Sequence, residues 1–195
     1  MKTCFMNLKR VPQIAIVFIL IGTLSATAYG ISVLWSNISS TTNFEKDKYI
    51  KIEMSGIAGT GSVKPGDSVS LSPALTNNGD IDVNAFVKVT MPTVSDVSAY
   101  TFEAGSGWNL VDADNKTGVI EQIWSWGDNT NLEALSPGAS TGPLATSFTM
   151  KSDISGADFA AMSDINITFE GYMVEVEGTG TSDPESVWYM IPENE

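Results

Sequence analysis

The sequence predicts an all-β fold, a β-sandwich or jelly roll that forms a single domain with one or two short helical insertions. Three observations favour this class: apolar and polar residues alternate with a period of two, turn-forming residues separate the alternating runs, and helical periodicity is scarce. Residues 29–195 suffice for one domain of this kind. A chain of that length buries roughly 70% of its extended surface and needs no disulfides to fold.

An N-terminal hydrophobic signal helix precedes this domain, and residues 1–28 are predicted to be a signal peptide. The leader begins with three basic residues, Lys2, Lys9 and Arg10. An apolar run follows at residues 14–24. Ala26 and Ala28 then form a small-x-small site, at which a signal peptidase cleaves during export.

The same stretch has an alternative interpretation as an uncleaved membrane anchor. No charge occurs between Val11 and Phe44, and residues 11–35 are long enough to span a bilayer. Small and polar residues dilute the second half of this stretch, which favours cleavage. With either outcome the positive flank stays inside the cell. We therefore expect a protein of the extracellular matrix or cell surface, which meets a membrane only through an uncleaved leader.

The charge of the exported chain is strongly negative. All 23 acidic residues follow position 28, where there are seven lysines and no arginine, so the net charge is 7 − 23 = −16. Phosphate binding requires clustered basic side chains, which argues against nucleic acid as a partner. The acids are scattered, as on a solvated surface. Alternatively, repulsion restrains self-association until salt, cations or low pH release it.

Four runs predict strands with one apolar face. They are residues 49–54, 83–91, 119–126 and 165–170. In the first run, Ile50, Ile52 and Met54 share a face. Turn-forming residues lie between the runs, at 64–67, 78–80, 136–138 and 178–180. Asn78-Gly79, between two apolar runs, is also a hairpin signal.

Two short helices are predicted from capping residues. Ser155 and Asp158 form a capping-box-like start before an apolar run. Asp183, followed by Pro184, caps a last helical turn that carries Val187. The chain contains no long linker and no strong internal repeat, so we expect a single domain at 29–195.

Two long stretches carry a family resemblance: GSVKPGDSVSLSPALTNNGDIDVNAFVKVTMP (61–92) and LSPGASTGPLATSFTMKSDISGADFAAMSDINITFEGYMVEVEG (135–178). The first is similar to the opening sheet, and the second to the later half, of the TasA/camelysin family of secreted biofilm-matrix proteins. The leader resembles those handled by the family's dedicated signal peptidase. The resemblance implies a jelly roll that forms extracellular fibres when the N-terminal strand of one subunit completes the sheet of the next.

The family also carries a metallopeptidase label, which this sequence does not support. A zinc peptidase needs imidazole ligands, typically His-Glu-x-x-His on a helix. The 195 residues include no histidine, and the single cysteine, Cys4, lies in the leader. We therefore predict no enzymatic activity and no cofactor.

Two further motifs suggest catalysis but favour ordinary structure. Residues 138–142 spell the G-x-S-x-G nucleophile elbow around Ser140, yet a Pro-Gly turn precedes them and no histidine is available. A surface turn is expected there. Asp112 and Asp114 suggest a carboxylate pair, but we place them in a polar loop where solvation keeps both ionised.

Weak candidates for a calcium site lie in two turns. Asp80 and Asp82 follow Asn77 and Asn78, and Asp128 heads a similar group in a later turn. The spacing is not that of an EF-hand loop, so plain turns are favoured over a metal site. Oxygen-rich turns of this kind would serve a monomeric cell-surface module that binds calcium.

The tryptophans offer a second binding hypothesis. Trp124 and Trp126 share one strand face, and Trp108 is predicted to lie near them. A flat aromatic platform would suit a glycan, whereas core packing is the ordinary role of tryptophan in a β-sandwich. Core packing is favoured. A monomeric glycan-binding or calcium-binding module therefore stands as the alternative function.

The mature N-terminus carries the functional prediction. Residues 29–37 read YGISVLWSN, with Ile31, Val33 and Trp35 on one face. Residues 29–43 are expected to be a donor strand or a flexible terminus, because an uncharged apolar strand needs a sheet edge to pair with. Pairing within its own domain is one outcome. Pairing with the next subunit gives head-to-tail fibres, so we predict a secreted structural protein that self-associates, with a metallopeptidase as the weakest alternative.

Overall fold

The computed structural model describes residues 35–37 (by their backbone), 50–57, 62–162 and 165–191, all within one compact unit, Val33–Glu195. The predicted signal peptide, with Ala26 and Ala28, lies outside the described residues, as do Ile31 and Val33. The helices found in the described part of the chain are all too short to cross a bilayer. The all-β prediction is confirmed, because strands dominate the described residues.

The described residues form eleven strands and three short helices. The strands are β1 Trp35–Asn37, β2 Ile52–Ser55, β3 Ser68–Val69, β4 Ala74–Asn77, β5 Val83–Val94, β6 Val97–Ser98, β7 Tyr100–Thr101, β8 Trp108–Lys116, β9 Val119–Trp126, β10 Phe148–Met150 and β11 Thr168–Glu175. The helices are α1 Gly156–Ala161, α2 Val176–Thr179 and α3 Pro184–Trp188.

The main sheet is antiparallel and has the strand order β1-β11-β5-β9-β8. The short strand β6 turns back onto the end of β5. In the centre of the sheet, Phe86 of β5 lies opposite Tyr172 of β11 and Ser125 of β9. Strand β5 is therefore the structural centre of the domain.

Two smaller sheets cover one face of the main sheet. Their strand orders are β3-β10-β7 and β2-β4. The residues of β5 on this face are Val83, Ala85, Val87, Val89 and Met91, each at most 1% exposed. They form one core cluster with Leu75 of β4 and Phe148 of β10. The alternation in residues 83–91 correctly predicted this buried face.

The C-terminal helix α3 covers the opposite face of the main sheet. Phe86, Tyr172 and Val187 belong to a second buried cluster there. The ring of Trp188 lies 5.6 Å from that of Phe86 and 5.2 Å from that of Tyr172, measured between centroids. The central strand of the domain is thus buried on both faces.

Both predicted helix starts are confirmed by their caps. The hydroxyl of Ser155 accepts a hydrogen bond from the backbone N–H of Asp158 at 3.1 Å, before α1. The carboxylate of Asp183 accepts one from the N–H of Ser186 at 2.9 Å, with Pro184 in the first turn of α3. These side chains satisfy backbone donors that a helix start leaves unpaired.

Three local predictions are wrong. Asn78-Gly79 does not close a hairpin, because β4 pairs with β2 whereas β5 pairs with β11 and β9. Asp112 and Asp114 lie in strand β8 and not in a loop. Residues 178–180, expected to form only a turn, overlap helix α2, and Gly180 ends that helix in the left-handed conformation at φ 64°.

Candidate functional site

A band of half-buried apolar side chains lies where β2 and β11 approach each other. We call this band the β2–β11 seam, and it consists of Ile50, Ile52, Met54, Ile165, Ile167 and Phe169. All six pack against the main core cluster, yet each keeps part of its surface accessible. The equivalent positions of β5 are fully buried. The seam is therefore apolar surface that the described part of the domain covers only in part.

The alternation of the sequence builds this seam. In β2 and just before it, exposed Lys51 and Glu53 alternate with the seam residues, as predicted from residues 49–54. Exposed Asn166 and Thr168 alternate with them on the approach to β11. A period of two places every second side chain on the same face, so both segments turn their apolar face toward the core.

Among the described residues, a strand pairs with only part of the outer edge of β11. Strand β1 lies antiparallel to it, with Trp35 opposite Val174 and Asn37 opposite Tyr172. Beyond Asn37, no described strand lies opposite residues 168–171 on this side. A strand edge of this kind presents main-chain groups to which another strand can add.

Strand β11 is firmly anchored on its other side. Lys88 lies opposite Glu170 in the β5–β11 ladder, with Nζ 3.0 Å from Oε1. The Tyr172 hydroxyl donates a hydrogen bond to Oε2 of Glu170 at 2.7 Å. The cross-strand pair of Lys88 and Glu170 favours this register, and the Tyr172 hydroxyl holds the Glu170 carboxylate from within the same strand. The register of β11 against β5 is therefore well defined.

The N-terminal strand pairs within its own chain at the positions described. This outcome, for Trp35, is the intrachain alternative that the sequence left open. Because the two strands are antiparallel, residues that precede Trp35 would face the C-terminal end of β11. Only Glu175 remains there before α2 begins at Val176. The strand β11 therefore offers no further ladder positions to residues that precede Leu34.

The calcium candidates of the 77–82 turn are not brought together as ligands. The Asn77 side chain is fully buried and donates to the carbonyls of Ile81 and Leu135, both at 2.8 Å. Asp80 and Asp82 are exposed. Among the residues that the structure describes, no three His, Cys, Asp or Glu side chains group as metal ligands would. Asn77 therefore has a structural role, because its side chain fixes the segment that connects β4 to β5 of the main sheet.

Asp128, the third calcium candidate, stabilises its own turn. Its Oδ1 accepts hydrogen bonds from the N–H of Thr130 at 2.8 Å, the Thr130 hydroxyl at 2.9 Å and the N–H of Asn131 at 2.7 Å. These bonds, led by the backbone N–H of Thr130, lower the pKa of Asp128 below its ordinary value. This oxygen is thus already fully engaged by protein donors.

The segment that contains Ser140 extends the small β2-β4 sheet. The Ser140 and Thr76 hydroxyls lie 2.7 Å apart, and the two residues form an antiparallel bridge. The backbone N–H of Thr141 donates to the carbonyl of Leu75 at 2.9 Å. The structure thus gives Ser140 an exposed position beside β4, as the surface-turn prediction requires.

The tryptophans pack against the core, as favoured from the sequence. Trp108 is 5% exposed, and its Nε1 donates to the carbonyl of Gly142 at 2.8 Å. Its ring meets that of Trp126 edge-on, at 69° and 5.5 Å. Trp124 packs against Phe102 at 5.3 Å. The predicted proximity of Trp108 and Trp126 is confirmed, and their rings do not form a flat platform.

Sequence reasoning missed the role of Asn77, although a signal was present. Residues 71–77 alternate between buried and less buried positions, and Asn77 stands on the buried phase with Leu71 and Leu75. A polar residue on the buried phase must find internal partners. The alternation alone therefore marks Asn77 as structural.

Comparison with known proteins finds no matching family model, curated protein or solved structure. The resemblance to the TasA/camelysin family accordingly stays a prediction.

Proposed function

We propose that this chain is a secreted structural protein that assembles into extracellular matrix or cell-surface fibres by N-terminal strand donation, without catalysing a reaction. The observation that carries the proposal is the place of β1, which adds an N-terminal strand to the outer edge of β11. A strand from a second copy would add to the same edge in a register shifted toward Thr168, where no described strand lies opposite residues 168–171 on this side. This shift would bring its apolar residues to the β2–β11 seam.

The register supports donation to another copy. Because β11 has only Glu175 beyond Val174, it cannot pair with Ile31 or Val33 in the register observed for β1. These apolar residues therefore need another surface. A neighbouring copy offers the β2–β11 seam, whose apolar side chains remain partly accessible. The donor residues and the acceptor seam are both apolar, so their contact would remove apolar surface from water.

Strand donation explains why the product would be a filament. The donor strand lies at the N-terminus, whereas the acceptor lies between β2 and β11, so the contact uses two different surfaces. A head-to-tail contact that does not close produces an open chain of subunits. The fibre form and the matrix location draw further support from the TasA/camelysin resemblance, as does a jelly-roll arrangement of the layers.

The proposal includes export by residues 1–28 and cleavage after Ala28 by a signal peptidase. The basic start, the apolar run and the small residues of the leader support this route. An uncleaved leader would tether the same domain to the membrane. Neither route requires a cofactor.

Electron microscopy of the exported protein tests the proposal. The parent begins at Tyr29, and the test variants are Ile31→Asp, Val33→Asp and a chain that begins at Asn43. A matched control is Val97→Asp, which places the same charge on an apolar residue that is 54% exposed in β6. We expect fibres from the parent and the control and none from the test variants, because a charge in the donor strand opposes burial in the seam.

Circular dichroism of each variant separates a failure to assemble from a failure to fold. Folded monomers from the test variants, beside fibres from Val97→Asp, support strand donation. Folded monomers from every sample, in salt and in acid alike, would show that the chain does not form fibres. That result would favour the monomeric glycan-binding or calcium-binding module.

A further inference from the structure

The edge of the main sheet opposite β1 exposes large apolar side chains. Tyr189 is 65% exposed, Leu110 49% and Met190 39%. Leu110 belongs to β8, while Tyr189 and Met190 directly follow helix α3. Exposed large apolar residues such as Tyr189 and Met190 are a feature of protein-binding surfaces.

Helix α3 and strand β8 lie against each other, which brings Tyr189 and Met190 beside β8. Leu110 lies opposite Trp124, on the other face of the sheet. Val111 of β8 packs with Trp188 on the buried cluster under α3. Asp112 and Glu185 lie near enough to Tyr189 that their charges raise the pKa of its hydroxyl, with Asp112 the main cause. We call this region the β8–α3 surface, and it comprises Asp112, Glu185, Tyr189 and Met190.

The electrostatics of this region are strongly negative. The strands β5, β8, β9 and β11 carry only two lysines, and both already lie beside glutamates. Lys88 is 3.0 Å from Glu170, and Lys116 is 2.6 Å from Glu121 and 4.0 Å from Asp114. Asp112 and Glu185 belong to none of these pairs, so they give the β8–α3 surface a negative potential, which attracts basic partners and repels acidic ones.

Strand β8 also presents an edge. It pairs with β9, and no other described strand lies beside it. A bulge between Leu110 and Asp112 interrupts its ladder. Bulges and charged side chains are devices that keep sheet edges from pairing with copies of themselves. With Asp112 and Asp114 on the strand, a second copy of this acidic chain is a poor occupant.

We infer that the β8–α3 surface binds an extended basic segment of a partner protein, which carries Lys or Arg together with large apolar side chains. The basic residues meet Asp112 and Glu185, and the apolar ones cover Tyr189 and Met190. Main-chain bonds to the edge of β8 add affinity that is independent of side chains. The inference is separate from strand donation, because it concerns the other edge of the sheet.

Calorimetric titration of the purified exported protein with a defined peptide tests the inference. The probe is a ten-residue peptide of alternating Lys and Leu, compared with its Glu and Leu counterpart. We expect the basic peptide alone to bind. Tyr189→Ala should weaken it about tenfold, as for a central interface aromatic. Asp112→Asn should weaken it about threefold and reduce its salt dependence.

Two matched variants control for general effects of charge and hydrophobicity. Val97→Ala removes another exposed apolar side chain, and Asp153→Asn removes an exposed carboxylate near β10. Neither should change the dissociation constant by more than about twofold. Thermal unfolding of each variant checks the fold, which exposed substitutions should leave intact.

Amide chemical shifts locate the peptide directly. Shifts confined to residues 109–116 and 184–191 support the inference. Equal binding by all variants, with shifts spread over the acidic surface, would overturn it in favour of nonspecific attraction. Failure of the basic peptide to bind would also overturn it, whether the surface stays empty or joins two copies of the chain.

Discussion

Ser125 is a buried residue whose hydroxyl lacks a partner among the described residues. It is fully buried in β9, opposite Phe86, on the face that α3 covers. A buried hydroxyl without a hydrogen bond costs about 1–3 kcal/mol. We therefore expect Ser125→Ala to raise the free energy of unfolding by about 1 kcal/mol, measured by urea denaturation.

Ser68→Ala is the matched control for this prediction. Its hydroxyl lies 2.8 Å from that of Thr149, so its removal breaks a contact and brings no gain. If Ser125→Ala were destabilising instead, a buried water would be the partner of the Ser125 hydroxyl.

Single residues also show where sequence reasoning fails. Asn77 and Asp80 look alike in sequence, as oxygen-bearing residues of one turn, but Asn77 is buried and hydrogen-bonded whereas Asp80 is exposed. Burial separates structural from surface polar groups, and it depends on tertiary contacts. Only the alternation that ends at Asn77 carried this information.

At the scale of elements, the cap of α3 gives a pH-dependent prediction. The hydroxyl and then the backbone N–H of Ser186 lower the pKa of Asp183 below its ordinary value of 3.8. The folded state therefore favours the ionised cap, which stabilises fully above the unfolded pKa and is lost as the pH falls through the folded pKa. We expect Asp183→Ala to lower the melting temperature at neutral pH, with a difference that disappears in acid.

Thermal unfolding by circular dichroism across this pH range measures the effect. Asp153→Ala is the control, because it removes an exposed aspartate that caps no helix. If the difference in melting temperature between Asp183→Ala and the parent stays constant down to the lowest pH, the ionised cap is not the cause of that difference.

The pairing of β1 gives a second prediction at this scale. Ser36 lies opposite Met173, so cysteines at both positions should form a disulfide that holds β1 on its own domain. If fibres require strand donation, the oxidised double variant should stay monomeric and reduction should restore assembly. Electron microscopy and sedimentation measure both states, with Ser36→Cys and Met173→Cys alone as controls. Fibres from the oxidised variant would show that β1 need not leave its own sheet.

Whether a strand could be predicted from the sequence depended on how deeply that strand is buried. The run 119–126 coincides with β9, because a half-buried strand alternates in sequence. Strand β8 was missed because residues 112–116 are mostly exposed on both sides, so their polarity resembles that of a loop. The false hairpin at Asn78 has a different cause, since turn chemistry does not specify which strands the turn connects.

At the scale of the whole molecule, the candidate site could be predicted only in its parts. The apolar faces of Ile50–Met54 and of Ile165–Phe169 follow from alternation. These two faces contact each other at the β2–β11 seam only because two layers of the domain pack together. The contacting segments are more than 100 positions apart in the sequence. Sequence patterns over short windows contain no such long-range information.

The charge of the whole molecule predicts how assembly responds to solution conditions. Net charges of −16 repel one another when acidic subunits approach. The screening length falls from about 10 Å at 0.1 M salt to about 3 Å at 1 M, and acid moves the chain toward its pI near 4.2. We therefore expect salt and mild acid to shorten the lag before fibres appear, as followed by light scattering.

Sodium, potassium and calcium chloride at one ionic strength separate screening from cation binding. Equal lags in all three salts indicate screening alone. A shorter lag in calcium that Asp80→Asn or Asp82→Asn abolishes would instead assign those carboxylates a bridging role, since Ca²⁺ prefers carboxylate oxygens. Assembly that is fastest at low salt and neutral pH would contradict restraint by charge, because repulsion between subunits is greatest under those conditions.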